Sequence, residues 1–225
     1  MMKTRSLLAG LLLTFAGCAS SGPESRLIGD TVAALGGAYA INAVETLVLE
    51  GSGDAYNLGQ NRNPEAELPR FEVTEYRKAI DFSNRRWRQE LVRVPRYLTA
   101  NTDPQTLITA MDNGIGFDIS VSGNVSRQSE LGSRARQIEL YHHPIGILQV
   151  ALDPDSQVSD LRSVGAEQSV SIVAPGGTEL TLFVNRESGL PSRVQSMAYY
   201  NRHLGDVFIE TRFGDYESVG GLQLP

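Results

Sequence analysis

The chain has 225 residues and a formal net charge of −6. This acidic balance argues against nucleic acid and against an anionic membrane surface as electrostatic partners, so we expect no nucleic-acid partner. The length suits one large domain, which we predict over residues 25–225. Basic residues do cluster between Arg85 and Arg96, and we interpret them as the solvated face of a strand.

The N-terminal segment has the pattern of a secretory signal. Lys3 and Arg5 precede an apolar run over residues 7–16, which is too short to stay in a bilayer as a spanning helix. Residues 14–18, Thr-Phe-Ala-Gly-Cys, resemble the lipobox of bacterial lipoproteins, in which the cysteine is acylated and becomes the mature N-terminus. We therefore predict a signal peptide over residues 1–17, lipidation of Cys18 and a tether over residues 18–24. The alternative is an ordinary signal peptide with an incidental cysteine.

The surroundings of Cys18 agree with a lipid anchor. Cys18 is the only cysteine, so no disulfide can form within the chain. Ala19 follows it, whereas an aspartate at that position would resemble an inner-membrane sorting signal in Gram-negative bacteria. The lipoprotein resemblance thus implies a place in the bacterial cell envelope, on the outer membrane and facing the periplasm.

Two short helices and a strand are expected after the tether. Residues 24–35 place Ile28, Val32 and Leu35 on one side of a helix, which two glycines end at 36 and 37. A second helical turn over residues 38–44 leads into a strand over residues 46–56. The polar loop that follows, residues 57–69, is long enough to be either a functional lid or a mobile excursion.

Antiparallel strands dominate the middle of the chain. Residues 71–82 and 86–94 read as two long strands, and the first changes the parity of its apolar side chains between Val73 and Tyr76, which indicates a bulge. Asn113-Gly114 is a strong signal for a tight hairpin turn between strands over residues 107–111 and 115–121. Five further strands are predicted from residue 158 to residue 215.

One apolar segment, residues 137–152, repeats at helical spacing instead. Ile138, Tyr141, Ile145, Leu148 and Leu152 follow steps of three and four and form one buried stripe. Gln149 is expected on the outer side. Pro144 predicts either a kink or a break that opens a second helix. The fold class is therefore α+β and β-dominated, with a strongly curved antiparallel sheet, an incomplete β-barrel, wrapped around one kinked helix, and with short N-terminal helices.

The sequence offers no recognisable catalytic motif. It contains no Gly-rich phosphate loop, no G-x-S-x-G elbow and no C-x-x-C pair. His142 and His143 are adjacent, about 100° apart on a helix, and cannot easily share one metal ion. We predict no catalytic or metal-binding residues, and we expect one of these histidines packed under the sheet and the other at the surface. His203 is expected in a turn.

Five stretches together resemble a known bacterial family. They are ALGGAYAINAVETL at 34–47, YNLGQN at 56–61, LPRFEVTEYRKAIDF at 68–82, ELYHHPIG at 139–146 and GDVFIETRFGDYESVGGLQLP at 205–225. They resemble the N-terminal region of exported metallo-β-lactamase-fold hydrolases, a region similar in fold to the lipoprotein carriers LolA and LolB. That resemblance implies an incomplete β-barrel with helices in its concave side. The zinc motif of the superfamily, H-x-H-x-D-H, is absent from this chain, so the resemblance implies zinc only in a downstream hydrolase domain.

Three functional hypotheses remain open at this point. The first is a non-catalytic envelope lipoprotein domain that serves as the accessory module of such a hydrolase. The second is a free-standing lipoprotein that binds an acyl chain or another apolar ligand in its half-barrel, through residues that the sequence does not identify. The third is a purely structural envelope domain. The DNA after the codon for Pro225 separates the first hypothesis from the other two. An open reading frame that encodes H-x-H-x-D-H would decide for the first.

Lipidation of Cys18 is directly testable. Burial of acyl chains contributes about 0.8 kcal/mol per methylene group, so two or three chains anchor a protein firmly. We expect Cys18→Ser to move the protein from the membrane to the soluble fraction, while Ser20→Ala leaves it in the membrane. Fractionation followed by immunoblotting is the measurement. A Cys18→Ser protein that stays membrane-bound after washing would contradict the lipoprotein prediction.

Overall fold

The computed structural model describes residues 22–97 and 103–225. Cys18 and the predicted signal peptide lie outside these residues. In the described part the chain begins with α1 (Pro23–Leu35) and α2 (Ala38–Asn42). These two helices confirm the two that were predicted at the N-terminus. None of the helices in the described residues is long and apolar enough to cross a membrane.

Two antiparallel sheets follow, each built from strands that are neighbours in the sequence. The first has six strands, β1 (Thr46–Tyr56), β2 (Arg70–Asp81), β3 (Arg86–Pro95), β4 (Gln105–Asp112), β5 (Ile115–Ile119) and β6 (Val125–Arg127). The second has five, β7 (Gln157–Val164), β8 (Glu167–Val173), β9 (Glu179–Asn185), β10 (Pro191–Asn201) and β11 (Gly205–Arg212). A terminal hairpin adds β12 (Glu217–Val219) and β13 (Leu222–Leu224). A β-dominated antiparallel fold is therefore confirmed.

The strands form two sheets, not the single continuous sheet that we predicted. After β6 the chain leaves the ladder and forms α3 (Glu130–Ile138), a 3₁₀ turn (Glu139–Tyr141) and α4 (Pro144–Ala151). Because these helical elements separate β6 from β7, the two strands do not pair. Residues 124–134 are mostly polar and show no regular spacing of apolar side chains. The sequence therefore did not predict β6 or the start of α3.

The predicted helix over residues 137–152 is broken, as the second alternative for Pro144 allowed. Pro144 opens α4, and the side chain of His143 caps that helix by accepting a hydrogen bond of 3.2 Å from the Ile145 amide. A side chain at Gly146 would overlap the carbonyl oxygen of Leu140, so α4 packs directly on the backbone of the preceding turn. Glycine is required at this position because only its backbone can approach so closely.

Turn and bulge chemistry follow the sequence closely. Asn113 and Gly114 have φ angles of 50° and 77°, the left-handed values of a two-residue hairpin turn between β4 and β5. The register of β2 against β3 shifts between Val73 and Glu75, where the parity change predicted a bulge. The shift lets Phe71 and Val73 share one face with Tyr76 despite the odd spacing.

The main core joins both sheets to the helices. Ile145, Ile147 and Leu148 of α4 are completely buried. They belong to one cluster with α1, with Ile80, Trp87 and Met111 of the first sheet, and with Leu180, Leu182 and Val194 of the second. The predicted buried position of Leu148 is thus confirmed. The outer position predicted for Gln149 is wrong, because its amide donates to the carbonyls of Ile41 and Val44 at 3.0 and 3.2 Å.

The core position of Leu148 gives a stability test. Truncation of a fully buried leucine to alanine removes apolar contacts and leaves a cavity, at a cost of about 2 to 5 kcal/mol. Leu131 is 51% exposed on α3 and receives the same substitution as a control. We expect Leu148→Ala to lower the melting midpoint by several degrees and Leu131→Ala to leave it nearly unchanged. Equal shifts in thermal denaturation would show that α4 does not face the core.

Candidate functional site

A cleft of about 520 Å³ lies between the first sheet and the free edge of the second. The residues around it come from β1, β2 and β3 on one side and from β11 and the chain end on the other. The helical layer closes it from within through α3, the 3₁₀ turn and the junction to α4. Its apolar wall is formed by Leu49, Ile80, Ile138, Ile209 and Phe213.

Lys78 is the buried cation of this cleft. Its side chain is only 8% exposed, and its ammonium group lies 2.6 Å from the carboxylate of Glu139, which is 41% exposed. The same ammonium lies 4.1 Å from the centre of the Trp87 ring, a cation–π contact. Burying an unpaired ammonium would be costly, so Glu139 and the indole ring together hold Lys78 in the wall.

Two further polar side chains pair with each other beside Lys78. The Tyr76 hydroxyl donates a hydrogen bond of 3.1 Å to the side-chain oxygen of Gln89. Burial, followed by the negative charge of Glu139, raises the pKa of Tyr76 to about 12. Gln89 lies directly opposite Lys78 in the register of β2 and β3. Tyr76 therefore remains a neutral donor, and it fixes the orientation of the Gln89 amide.

His142 connects the helical layer to the second sheet. Its Nδ1 lies 2.9 Å from the Thr211 hydroxyl and its Nε2 lies 2.8 Å from the Ser196 hydroxyl. Burial, and then the charge of Lys78, lowers the pKa of His142 to about 4. Because both ring nitrogens are engaged, His142 bridges β10 and β11 and is not a free base.

His143 is buried, and the same two causes lower its pKa to about 4. The expectation that one histidine of the pair lies at the surface is wrong, since His142 is also partly buried. His203 is exposed beyond β10, where a turn was predicted. Within residues 22–97 and 103–225, no group of three or more His, Cys, Asp and Glu residues is arranged to hold a metal ion.

The basic residues between 85 and 96 mainly form ion pairs on a solvated face. Arg86 pairs with Asp81 at 2.9 Å, and Arg96 and Arg88 pair with Glu72 and Glu90. Arg93 differs from these residues. It is partly buried, its guanidinium lies 3.8 Å from the centre of the Phe71 ring, and it bonds Asn57 at 3.1 Å. Three of the five arginines in this group are thus paired with carboxylates.

A second cavity, of about 710 Å³, lies on the other side of α3. It is lined by Ile138, Arg134 and Gln137 of α3 together with residues of β8 to β11 such as Thr181, Gln195 and Phe208. Many of these residues alternate in sequence with the core residues of their strands and are polar. The cavity is therefore open and has a largely polar wall. Ile138 borders both cavities. The smaller cleft is the stronger candidate site because a buried lysine with its carboxylate partner and two histidines converge there.

The sequence contained one usable signal for this site. Lys78 has the parity of Tyr76, Ile80 and Phe82, so a lysine lay on the apolar face of a strand. Gln89 likewise falls between Trp87 and Leu91 on the buried face of the next strand. Neither residue belongs to a recognisable site motif, so the sequence alone did not predict their role. No protein-family model and no curated protein sequence matches this chain.

The two lowered histidine pKa values predict an acid-sensitive fold. The unfolded chain takes up protons near the ordinary pKa of 6.5, while folded His142 and His143 stay neutral down to about pH 4. Their contribution to stability is therefore complete above pH 6.5 and is lost as the pH falls to 4. Each histidine contributes a slope of up to about 1.4 kcal/mol per pH unit in this window.

Denaturant unfolding at several pH values measures this slope. We expect His142→Gln to have a smaller slope between pH 4 and 6.5 than the unmodified protein. His203→Gln, which changes an exposed histidine, should keep the original slope. The carboxylates contribute equally to all three proteins, so the comparison isolates His142. An unchanged slope in His142→Gln would show that this histidine is not held neutral by the fold.

Proposed function

We propose that the chain is a non-catalytic, lipid-anchored envelope domain that binds one apolar or acyl-chain molecule in the cleft beside Lys78. The observation that carries this proposal is the space itself, about 520 Å³ between the helical layer and the sheets. Sites for small molecules commonly measure about 300 to 1,000 Å³. A helical segment that filled the concavity completely would have left no room for a ligand.

The side chains that line the cleft support an apolar ligand. Leu49, Ile138 and Phe213 supply aliphatic and aromatic surface, while the polar side chains that line the rest of the cleft are largely engaged in hydrogen bonds and ion pairs. This is the usual make-up of a small-molecule site, in which apolar side chains give affinity and a few polar groups fix the orientation. A chain of methylene groups gains free energy from leaving water for such a wall.

The position of the cleft also supports entry of a ligand. β1 is an end strand of the first sheet and β11 is an end strand of the second. In the described part of the chain, β1 pairs only with β2 and β11 pairs only with β10, so no backbone ladder hydrogen bonds join the two sides of the cleft. Separation of β1 from β11 would therefore break no sheet pairing.

The resemblance to the LolA and LolB carriers agrees with this proposal, since an incomplete barrel with helices on its concave side leaves one side open. Acylation of Cys18 would hold the domain at the outer membrane, on the periplasmic side. There the membrane supplies apolar and acyl-chain molecules. The partners proposed are thus the membrane, through the N-terminal anchor, and a ligand in the cleft.

A second candidate is the accessory module of a metallo-β-lactamase-fold hydrolase. Pro225 lines the cleft, so a domain joined at that residue would lie beside the binding site. Zinc would then belong to the hydrolase domain and not to this one. This candidate is compatible with the first, because an accessory module next to a hydrolase could deliver or retain an apolar substrate.

Filling the cleft tests the proposal. Leu49 lines the cleft, whereas Val48, its neighbour on β1, is 48% exposed and does not border it. The chain from Ala19 to Pro225 is titrated with the fluorescent apolar probe N-phenylnaphthylamine. We expect Leu49→Trp to weaken binding about tenfold, because the indole occupies the space of the probe, and Val48→Trp to leave it within about twofold. Absence of binding by the unmodified chain would contradict the proposal.

A further inference from the structure

The buried cation in the cleft is a lysine in a chain that otherwise uses arginine. The other basic residue that lines the cleft, Arg212, is exposed and pairs with Glu210. Lys78 is the only lysine after Lys3, and the remaining basic residues are arginines. Arginine holds a carboxylate through a fixed planar fork, whereas lysine is a point charge with three rotatable donors. A lysine can therefore change one acidic partner for another without having to reproduce a fixed geometry.

The ion pair of Lys78 is asymmetric in its exposure. The side chain of Lys78 is 8% exposed and that of Glu139 is 41% exposed. If the two separated, Glu139 would be hydrated where it stands, but Lys78 would be left as an uncompensated buried charge. Lys78 thus requires an anion, while Glu139 does not require a cation. Another anion that enters the cleft can take the place of Glu139.

The other polar groups of the cleft are already bonded in ways that favour this exchange. Both ring nitrogens of His142 are engaged, and His143 accepts from the Ile145 amide. Tyr76 occupies the side-chain oxygen of Gln89. The amide nitrogen of Gln89, which is a donor, therefore remains beside Lys78, its direct cross-strand partner. Lys78 and Gln89 together offer one charged and one neutral donor.

We propose that the ligand of the cleft is a single-chain fatty acid whose carboxylate replaces Glu139 on Lys78, with the Gln89 amide as the second donor. This inference rests on the proposed function and names the chemical class of its ligand. One carboxylate oxygen accepts from the Lys78 ammonium and the other from the Gln89 amide. The alkyl chain then lies along the apolar wall, and Glu139 turns to water.

The size and charge of the cleft agree with one such molecule. Its volume of about 520 Å³ lies in the lower half of the range for a single small ligand and is small for a lipid with two acyl chains. Each negative head that binds is matched by the one buried ammonium, so no buried charge is left unpaired, and the displaced Glu139 carboxylate is hydrated. A neutral head of the same size would leave the Lys78–Glu139 pair in place and gain nothing from it.

Two ligands with the same chain and different heads test the proposal. The chain from Ala19 to Pro225 is titrated by calorimetry with dodecanoate and with dodecanol at neutral pH. We expect Lys78→Met to weaken dodecanoate binding about tenfold or more and to leave dodecanol binding within about twofold, because a charge-assisted hydrogen bond is lost only with the anion. Arg77→Met is the matched control, since Arg77 is the next residue on β2 and pairs with Glu50 at 3.1 Å on the exposed face.

Glu139→Gln provides a second test that keeps Lys78. It removes the competing carboxylate, so we expect dodecanoate to bind about tenfold more tightly, with no change for dodecanol. Glu50→Gln removes an exposed carboxylate from β1 and should change neither affinity. This variant remains informative if Lys78→Met fails to fold. Weaker or unchanged dodecanoate binding in Glu139→Gln would overturn the assignment of a carboxylate head.

The outcomes separate this inference from the proposed function. If dodecanol binds but dodecanoate binds no more tightly and does not respond to Lys78→Met, the carboxylate subsite is wrong and the apolar cleft remains. If neither ligand binds to the folded chain, the proposed function fails and the inference fails with it. If both bind and only dodecanoate responds to changes at Lys78 and Glu139, both are supported.

Discussion

The contact between Gly146 and the Leu140 carbonyl determines how the helical layer fits between the two sheets. Because no side chain separates them, the backbone of α4 lies directly on the preceding turn, and the segment folds back instead of continuing as one rod. α3 can then lie against the first sheet, where the Trp87 indole donates to the Arg136 carbonyl at 2.9 Å. Glu139, His142 and His143 fall at the junction and face the cleft. The candidate site is thus a product of the helix break.

Much of the fold could be predicted from local sequence patterns. The bounds of β1, the Asn113-Gly114 turn and the register shift near Val73 all follow from alternation and turn chemistry within a few residues. The separation into two sheets could not be predicted in this way. It depends on whether β6 pairs with β7 across the helical segment, and periodicity within one strand does not say which strand will be its neighbour.

The candidate site was harder to predict than the fold, for a physical reason. The partly buried ion pair of Lys78 with Glu139 joins residues 61 positions apart, and neither residue is unusual in isolation. Histidine can act as a metal ligand or as an acid and base, yet His142 bridges β10 and β11 and His143 caps α4. The informative feature was a charged residue on the apolar face of a strand, which is rare unless the charge has a partner.

The neighbour-to-neighbour order of the strands has a consequence for how the chain folds. Each sheet is a meander in which every strand pairs with the strand next to it in the sequence, so no pairing has to bring distant parts of the chain together. Proteins dominated by such local pairings fold faster than β proteins of similar size whose strands cross over. If the chain is exported, as its N-terminus predicts, it folds only after translocation. Rapid closure of successive hairpins would then shorten the time during which unpaired strand edges are exposed to aggregation.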